Sequence, residues 1–269
     1  MTAGFTLLAV VLATATGCSS PSEAVDSAVR KTIQEGSAHM VITGETTGGD
    51  RSITITGEGD FDYARLRGKA SFDFSELPSA SGAPLGEQGR GEIVFDGSTY
   101  YMNLPFLSQL SPQLEGWVKF DTEELSGSTG RLGQLGQNDP SQVLSYLNGA
   151  TDVTESGDED VDGFPTTRYD LTIDYREAKS EAPAKLEAAY DTIISELGIE
   201  RAPASVWVDE NDFVRRMSYE WSIELDRTAG GEGETIQNVE LEFSDFGEEV
   251  DVELPPADET VDFNELLEG

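Results

Sequence analysis

Cysteine and histidine, which supply many catalytic nucleophiles and zinc ligands, are almost missing from this chain. It has one cysteine, Cys18, and one histidine, His39, in 269 residues. A single cysteine cannot form a disulfide within the chain or build a zinc site of several cysteines. A Cys/His active site would have only His39 as its base, and nothing around His39 resembles such a site. The sequence therefore predicts no metal centre and no cysteine catalysis, and Cys18 needs another explanation.

Basic residues are also scarce, since 17 Lys and Arg stand against 52 Asp and Glu, for a net charge of −35. Nucleic-acid binding depends on Lys and Arg that displace phosphate counterions, so most nucleic-acid roles are excluded. The charge also argues against lying flat on an anionic bilayer, because repulsion acts over a Debye length of about 8 Å at physiological salt. A large negative charge is typical of proteins that stay soluble in an extracytoplasmic setting. A cation-binding surface is the alternative interpretation.

Long apolar runs are absent after the first residues, so the sequence predicts no membrane span there. The stretch FTLLAVVLATA, residues 5–15, is far too short as a helix for a bilayer core of about 30 Å, and it fits the apolar core of a signal peptide. Ala15, Thr16 and Gly17 then lead into Cys18, which resembles a bacterial lipoprotein signal with its lipobox. The resemblance implies a signal peptide over residues 1–17 and a lipid anchor on Cys18. An ordinary cleaved signal or a buried N-terminal segment are the alternatives.

Three helices are predicted from their start and stop signals. Residues 20–23, SPSE, read as a capping box with proline at the first helical position, and Gly36 ends that helix. A second helix is predicted over residues 139–149. A third covers about residues 183–197 and closes at Gly198.

The remaining patterned segments predict strands. Residues 213–225 alternate between an apolar and a polar face, interrupted only by Arg215, and residues 166–175 repeat the pattern as far as Tyr175. VELEF, RSITITGEG and KASFDF behave in the same way. A sheet with one polar and one apolar face is antiparallel and solvated on one side. The sequence therefore predicts an α+β fold, in which one large curved antiparallel sheet holds about three helices on its concave face.

Two acidic segments are predicted to be turns. DEDVDG, residues 158–163, resembles the start of an EF-hand loop, but position twelve holds Tyr169 instead of a bidentate Glu. We therefore expect an acidic hairpin turn there and no metal. DEND, residues 209–212, is predicted to be a turn whose carboxylates face water.

Residues 100–120 form an apolar stretch, YYMNLPFLSQLSPQLEGWVKF, that neither a strand nor a helix period organises throughout. Such a loop can plug a core, or it can form the ligand-facing wall of a hollow sheet. The sequence leaves both interpretations open.

Five phrases follow the lipobox and the first helix in order: VFDGSTYYMNLP, WVKFD, DPSQVLSYLNGA, DVTESGDEDVDGFPTTRYDLTID and ASVWVDENDFVRRMSYEW. Their order, over about residues 22–246, resembles the LppX/LprG-type lipoproteins of the LolA-like group. The resemblance implies a half-open β-barrel whose helix-lined hollow holds the acyl chains of lipids or lipoglycans, with a role in lipid carriage across the cell envelope. It implies one LolA-like lipid-binding domain over residues 18–255 and an acidic C-terminal tail over residues 256–269.

The resulting hypothesis is a membrane-anchored lipoprotein on the extracytoplasmic face of the cell membrane. Besides Cys18 for lipidation, the candidate cavity walls are Leu104, Phe106, Leu107, Leu110, Trp117, Leu144, Leu147, Tyr190, Ile193, Tyr219 and Trp221. We expect acyl chains as ligands, an envelope transporter as a further partner, a monomer, no nucleic acid, no cofactor and no enzymatic activity. The alternatives are a protein-interaction or sensory module with a filled core, and an envelope hydrolase of unrecognised type.

Overall fold

The computed structural model describes residues 20–49, 51–79, 81–109, 111–121, 140–183, 186–225 and 233–263. The predicted signal peptide, Cys18 and Leu110 lie outside the described residues. Within the described ranges, no helix is long and apolar enough to cross a membrane.

Four α-helices and a twelve-stranded sheet make up the described structure. The helices are α1 (Pro21–Gln34), α2 (Pro140–Ser145), α3 (Tyr175–Glu181) and α4 (Glu187–Asp191). The strands are β1 (Ser37–Gly48), β2 (Arg51–Asp62), β3 (Arg67–Asp73), β4 (Arg90–Asp96), β5 (Thr99–Asn103), β6 (Trp117–Asp121), β7 (Ala150–Val161), β8 (Phe164–Asp174), β9 (Arg201–Asp209), β10 (Val214–Leu225), β11 (Gly233–Ser244) and β12 (Thr260–Asp262).

The sheet consists of two antiparallel meanders joined side by side. Its strand order is β12-β6-β5-β4-β3-β2-β1-β11-β10-β9-β8-β7, so the meander β1–β6 meets the meander β7–β11 where β1 pairs with β11. The described pairs are antiparallel except for β12, which runs parallel to β6. This confirms the predicted α+β fold with one large antiparallel sheet. It shows four short helices where the sequence predicts about three.

The first helix begins as its capping signal predicts. The Ser20 hydroxyl accepts a hydrogen bond from the Glu23 backbone N–H, and the Glu23 carboxylate accepts one from the Ser20 N–H at 2.9 Å. After the helix, Gly36 has φ of +85°, a left-handed conformation that favours glycine. The predicted start and end of α1 are therefore confirmed.

The other helices are shorter and less regular than predicted. The second predicted helix is present as α2 and a 3₁₀ turn, Tyr146–Gly149. The third is present as α4 followed by one turn of π-helix, Thr192–Glu196, and Gly198 follows at φ of +70°.

Tyr175 begins a helix that the sequence analysis missed. The Asp174 carboxylate accepts hydrogen bonds from the backbone N–H groups of Arg176 and Glu177, which makes Asp174 the N-cap of α3. The assignment of Tyr175 to the preceding strand is wrong. Tyr175 is apolar and follows directly on β8, so the alternating pattern of the strand continues by one residue into the helix.

A β-bulge explains why Arg215 interrupts the pattern of β10. Val214 pairs with Val208 while Arg216 pairs with Trp207, so Arg215 is an extra residue without a partner in the ladder. The shift turns Val214 into the core, where it is fully buried. Strict alternation places Val214 on the polar face, and that placement is wrong because the bulge changes the register.

The segment 209–212 is a turn as predicted, but the Asp209 carboxylate does not face water. It is buried, and it accepts hydrogen bonds from the N–H groups of Asn211 and Phe213 and from Arg215 Nε. The predicted exposure of Asp209 is therefore wrong, because the bulged arginine needs a buried partner. The predicted hairpin turn is confined to Asp162 and Gly163, both at positive φ between β7 and β8, because residues 158–161 pair with β8 as the end of β7.

Gly59 lies at a close approach between the paired strands β2 and β3. A Cβ on Gly59 would lie 2.3 Å from the backbone oxygen of Lys69, so a larger residue there would push the two strands apart.

The outer strand β7 is irregular and acidic. Its register with β8 shifts twice, near Asp152 and near Ser156, and Asp152 and Gly157 have positive φ. Its second half carries Asp158, Glu159 and Asp160. Bulges and charges of this kind hinder the pairing of an edge strand with another chain.

The C-terminal segment belongs in part to the sheet. Val250 and Val252 pack on the convex side of the first meander, and β12 then covers the free edge of β6. Residues 260–262, which the sequence analysis assigns to an acidic tail, form this last strand.

Candidate functional site

A large apolar cluster, which we call the main cluster, lies between the concave face of the sheet and the helices. Its most deeply buried members come from α1, from α2 and its 3₁₀ turn, and from the central strands. They include Val25, Met40, Leu144, Leu147, Ile173, Val206, Met217 and Leu241. Both predicted layers, sheet and helices, thus contribute to one core.

Four tyrosines and a tryptophan form the aromatic centre of the main cluster. The Tyr146 ring contacts the rings of Tyr175, Tyr190 and Tyr219 edge-on, with centroid distances between 5.4 and 6.3 Å. Trp221, which is half-buried, donates a hydrogen bond from Nε1 to the Tyr175 hydroxyl at 2.7 Å. Burial raises the pKa of Tyr175, Tyr190 and Tyr219 above the ordinary tyrosine value, because their ionised forms would be poorly solvated.

Five of the predicted wall residues belong to the main cluster: Leu144, Leu147, Tyr190, Ile193 and Tyr219. Each has at most 8% of its surface exposed. The structure does bring these residues together, but it packs them against one another in a closed core. In this arrangement they do not face an open hollow.

The apolar loop after β5 builds a second cluster at the other end of the concave face. Met102, Leu104 and Phe120 are its buried members. Phe106 and Leu107, on the 3₁₀ turn Pro105–Gln109, pack against them and stay half-buried. Leu104, Phe106 and Leu107 therefore lie together in what we call the second cluster.

A ladder of aromatic rings connects the two clusters. Phe61 lies 6.1 Å from Phe95, Phe95 stacks on Tyr100 at 5.2 Å, and Tyr100 stacks on Phe120 at 5.6 Å. The first two belong to the main cluster and Phe120 belongs to the second. The concave face is thus apolar from one cluster to the other.

Between the two clusters, the described part of the concave face carries apolar residues that are only half-buried. We call these residues the apolar strip. It consists of half-buried residues that alternation and register place on the concave side, namely Val239, Ile42, Ile55, Phe72 and Ile93. The Phe72 ring lies over Gly57, where a Cβ would stand 2.6 Å from the ring. The strip runs from the border of the main cluster to the second cluster.

Trp117 lies on the opposite face from the other loop candidates. It packs with Val94, Val250 and Val252 on the convex side, while its neighbours Val118 and Phe120 face the concave side. Trp117 is therefore not part of the predicted wall. In β6 the alternate positions Val118 and Phe120 are both apolar and face the concave side, so Trp117 faces the convex side.

The open grooves on the convex side are polar. One of 720 Å³ is bordered by Glu45, Ser205, Ser218 and Asn238, among others. Another, of 620 Å³, lies across β2–β4 and includes Glu58, Asp73 and Arg90. Among the described residues, no three His, Cys, Asp or Glu side chains are grouped so as to hold a metal ion.

No family model matches the chain. An uncharacterized 31.2 kDa protein of Streptomyces griseus is 29% identical over 191 residues, which are 68% of this chain and 59% of that protein. A Streptomyces coelicolor protein named "Putative lipoprotein" is 26% identical over 224 residues, 81% of this chain and 61% of that protein. The matched regions thus span about three fifths of the length of these relatives.

Solved structures identify the fold. LprF from Mycobacterium bovis matches 88% of this chain and 97% of its own, with a TM-score of 0.51 and 15% identity. The fold is that of LprF. The lipoprotein LppX from Mycobacterium tuberculosis covers a similar share, 87% of this chain and 98% of its own, at a TM-score of 0.49 and 21% identity. At this identity the likeness to LprF concerns the fold, and at that level the resemblance inferred from the sequence is confirmed.

The apolar strip is the part of this LprF-like fold that the sequence analysis missed. The alternation in RSITITGEG and KASFDF predicts strands, but the candidate walls do not include their inward positions, among them Ile55 and Phe72. The available signal was the position of these strands next to the loop that carries Leu104. Cys18 and Leu110 stay predictions, since both lie outside the described residues.

Proposed function

We propose that this protein binds an acyl chain of a lipid or lipoglycan on its concave face and carries it while anchored to the outer side of the cell membrane. The observation that carries the proposal is the half-buried apolar strip between two apolar clusters. Ile42, Ile55 and Phe72 are half-buried apolar residues that lie between these clusters.

An acyl chain fits this surface by its chemistry. The strip offers aliphatic and aromatic side chains that need no hydrogen bonds, which is what an alkyl chain requires. Each CH₂ group moved out of water contributes about 0.8 kcal/mol, and a membrane offers a similar gain. Exchange between the protein and a bilayer would therefore cost little, and no catalytic group is required.

The position of the proposed anchor supports membrane proximity. Cys18 precedes the N-cap Ser20 by two residues, so an extended link of about 10 Å would separate a lipid on Cys18 from α1. A tether this short would keep the concave face near its lipid source and raise the effective concentration of cargo. The Streptomyces relative named as a lipoprotein supports the same reading.

A protein-interaction or sensory module is the second candidate. The close packing of Leu144, Tyr190 and Tyr219 in the main cluster favours it, because a filled core needs no ligand. In that case the polar grooves of the convex side would be the contact surface.

A pair of charge-matched variants separates the two functions. In the full chain carrying Cys18→Ser, which blocks lipidation, Ile55→Glu places a carboxylate in the strip. Thr56→Glu places one on the exposed convex side of the same strand. Binding of a fluorescent fatty acid is expected to weaken at least tenfold in Ile55→Glu and to stay unchanged in Thr56→Glu.

Extraction of the purified protein followed by mass spectrometry gives an independent measurement. Lipid in near-stoichiometric amount supports carriage. A clean extract together with no uptake of the fluorescent fatty acid would exclude it and favour the interaction module.

A further inference from the structure

The C-terminal residues pass around the free edge of the sheet. Val250 and Val252 pack on the convex side against Val94, and Arg67 donates a hydrogen bond to the Val252 carbonyl at 3.1 Å. Beyond a 3₁₀ turn, Ala257–Glu259, the chain forms β12 beside β6. We call residues 257–263 the strap.

The end of the strap reaches the concave side. Val261 lies opposite Val118, which is buried on that side, whereas Asp262 lies opposite Lys119 on the convex side. Alternation then turns Phe263 to the concave side, and Phe263 does pack on the second cluster. A side chain from the C-terminus thus covers the apolar residues that the loop after β5 assembles.

The attachment of the strap is slight compared with the rest of the sheet. β12 pairs with β6 over three residues and in parallel, whereas β1 pairs with β2 over twelve residues. The ion pair between Lys119 and Asp262 is 3.5 Å long, and both side chains are at least one third exposed. Exposed ion pairs and short parallel pairings contribute little to stability, so we expect release of the strap to cost less free energy than release of a central strand.

The position of Phe263 also matches the path of the proposed ligand. The apolar strip ends at Ile93, and Ile93 packs against the second cluster on which Phe263 sits. An acyl chain lying along the strip would therefore meet the Phe263 ring. Both occupants are apolar, and the surface beneath them, Met102, Leu104 and Phe120, is apolar as well.

We propose that Phe263 occupies an acyl-chain subsite on the second cluster and that the strap leaves the edge of β6 when an acyl chain enters. This inference rests on the proposed function. It assigns the end of the ligand path to the second cluster and makes the C-terminus a competitor of the cargo.

Hydrogen exchange on the full chain carrying Cys18→Ser tests the displacement. The amides of residues 260–263 are expected to exchange at least tenfold faster when a fluorescent fatty acid is bound at saturation. The amides of β1 and β2 serve as the internal control and should not speed up. Unchanged or increased protection of residues 260–263 in the complex would overturn the proposal.

A substitution provides the second measurement. Phe263→Ala removes the competing ring, and it should speed the association of the fatty acid at least threefold. Glu259→Ala, an exposed position on the strap, is the matched control and should leave the rate unchanged. Equal rates for Phe263→Ala and the parent chain would count against the subsite.

The two experiments distinguish this inference from the proposed function. If neither the parent chain nor Phe263→Ala binds the fatty acid, the proposed function fails and this inference fails with it. If the parent chain binds while the strap stays protected, only this inference fails. Binding seen only in Phe263→Ala would support it directly.

Discussion

Asp209→Ala removes the acceptor that organises the turn between β9 and β10. One carboxylate oxygen of Asp209 accepts the N–H groups of Asn211 and Phe213, each at 2.9 Å. The other accepts Arg215 Nε at 2.7 Å. The Asp209 side chain is 2% exposed and that of Arg215 is 10% exposed, so neither charge can turn to water while the turn keeps its shape.

The cost follows from what the substitution leaves behind. A buried cation without its partner costs about 3–5 kcal/mol. The stacking of the Arg215 guanidinium on Phe164 at 3.9 Å and on Phe246 at 4.8 Å persists and offsets part of this. Each of the two backbone N–H groups that loses its acceptor costs about 1 kcal/mol, and hydrogen bonds to water at the turn offset part of this cost. We expect a loss of about 4 kcal/mol in the free energy of unfolding.

Two companion variants separate charge from hydrogen bonding. Asp209→Asn keeps an oxygen for the two N–H groups but removes the negative charge, so it should cost about 1 kcal/mol less than Asp209→Ala. Arg215→Met keeps an apolar stem against Phe164 and removes the positive charge. The double variant Asp209→Asn/Arg215→Met leaves no unpaired charge, and it should be at least 1 kcal/mol more stable than the sum of the single losses predicts.

Urea unfolding at pH 7, followed by tryptophan fluorescence and circular dichroism, measures these differences. A loss below 1 kcal/mol for Asp209→Ala would refute the argument from burial. Strict additivity of the two single variants would refute the argument from pairing.

Two further predictions concern the helices and their core. Gly149→Ala should lower the free energy of unfolding in urea by about 1–3 kcal/mol, because its Cβ would lie 2.2 Å from the Asp174 backbone oxygen and push α3 away. Gly44→Ala is the control, since its Cβ would meet nothing closer than 3.9 Å. Equal losses for the two variants would contradict the reasoning. The free energy of unfolding should fall as the pH rises above about 10. Burial raises the pKa of the core tyrosines in the folded state, so the unfolded chain releases their hydroxyl protons at lower pH than the folded chain. Each such tyrosine lowers the free energy of unfolding by about 1.4 kcal/mol per pH unit in this range. Tyr219→Phe should reduce the slope of this loss with pH by the contribution of one tyrosine. An unchanged slope would show that Tyr219 does not contribute to it.

Local signals in the sequence were sufficient where a short motif determines the backbone. The capping box at Ser20 and Glu23 predicts the start of α1, and alternation predicts the length of β10 and the inward side of Met217 and Tyr219. Both rules depend on residues a few positions apart, so they do not require knowledge of the rest of the fold.

Features that depend on distant partners could not be read in this way. The bulge places Arg215 against the buried Asp209 across the hairpin. The alternation of apolar and polar residues shows only an interruption at this position. The alternation of Val118 and Phe120 is visible only once Trp117–Asp121 is known to be a strand, and the irregular apolar stretch around it conceals that strand. The strap joins β6 to residues more than a hundred positions later, and only the topology reveals that contact.

The outermost strand bears on how copies of this protein coexist. An exposed, regular edge strand would allow copies of a protein to pair strand to strand. The kinks and carboxylates of β7 make such pairing between copies unfavourable. A variant with a regular, uncharged outer strand should therefore self-associate at a lower protein concentration than the parent chain.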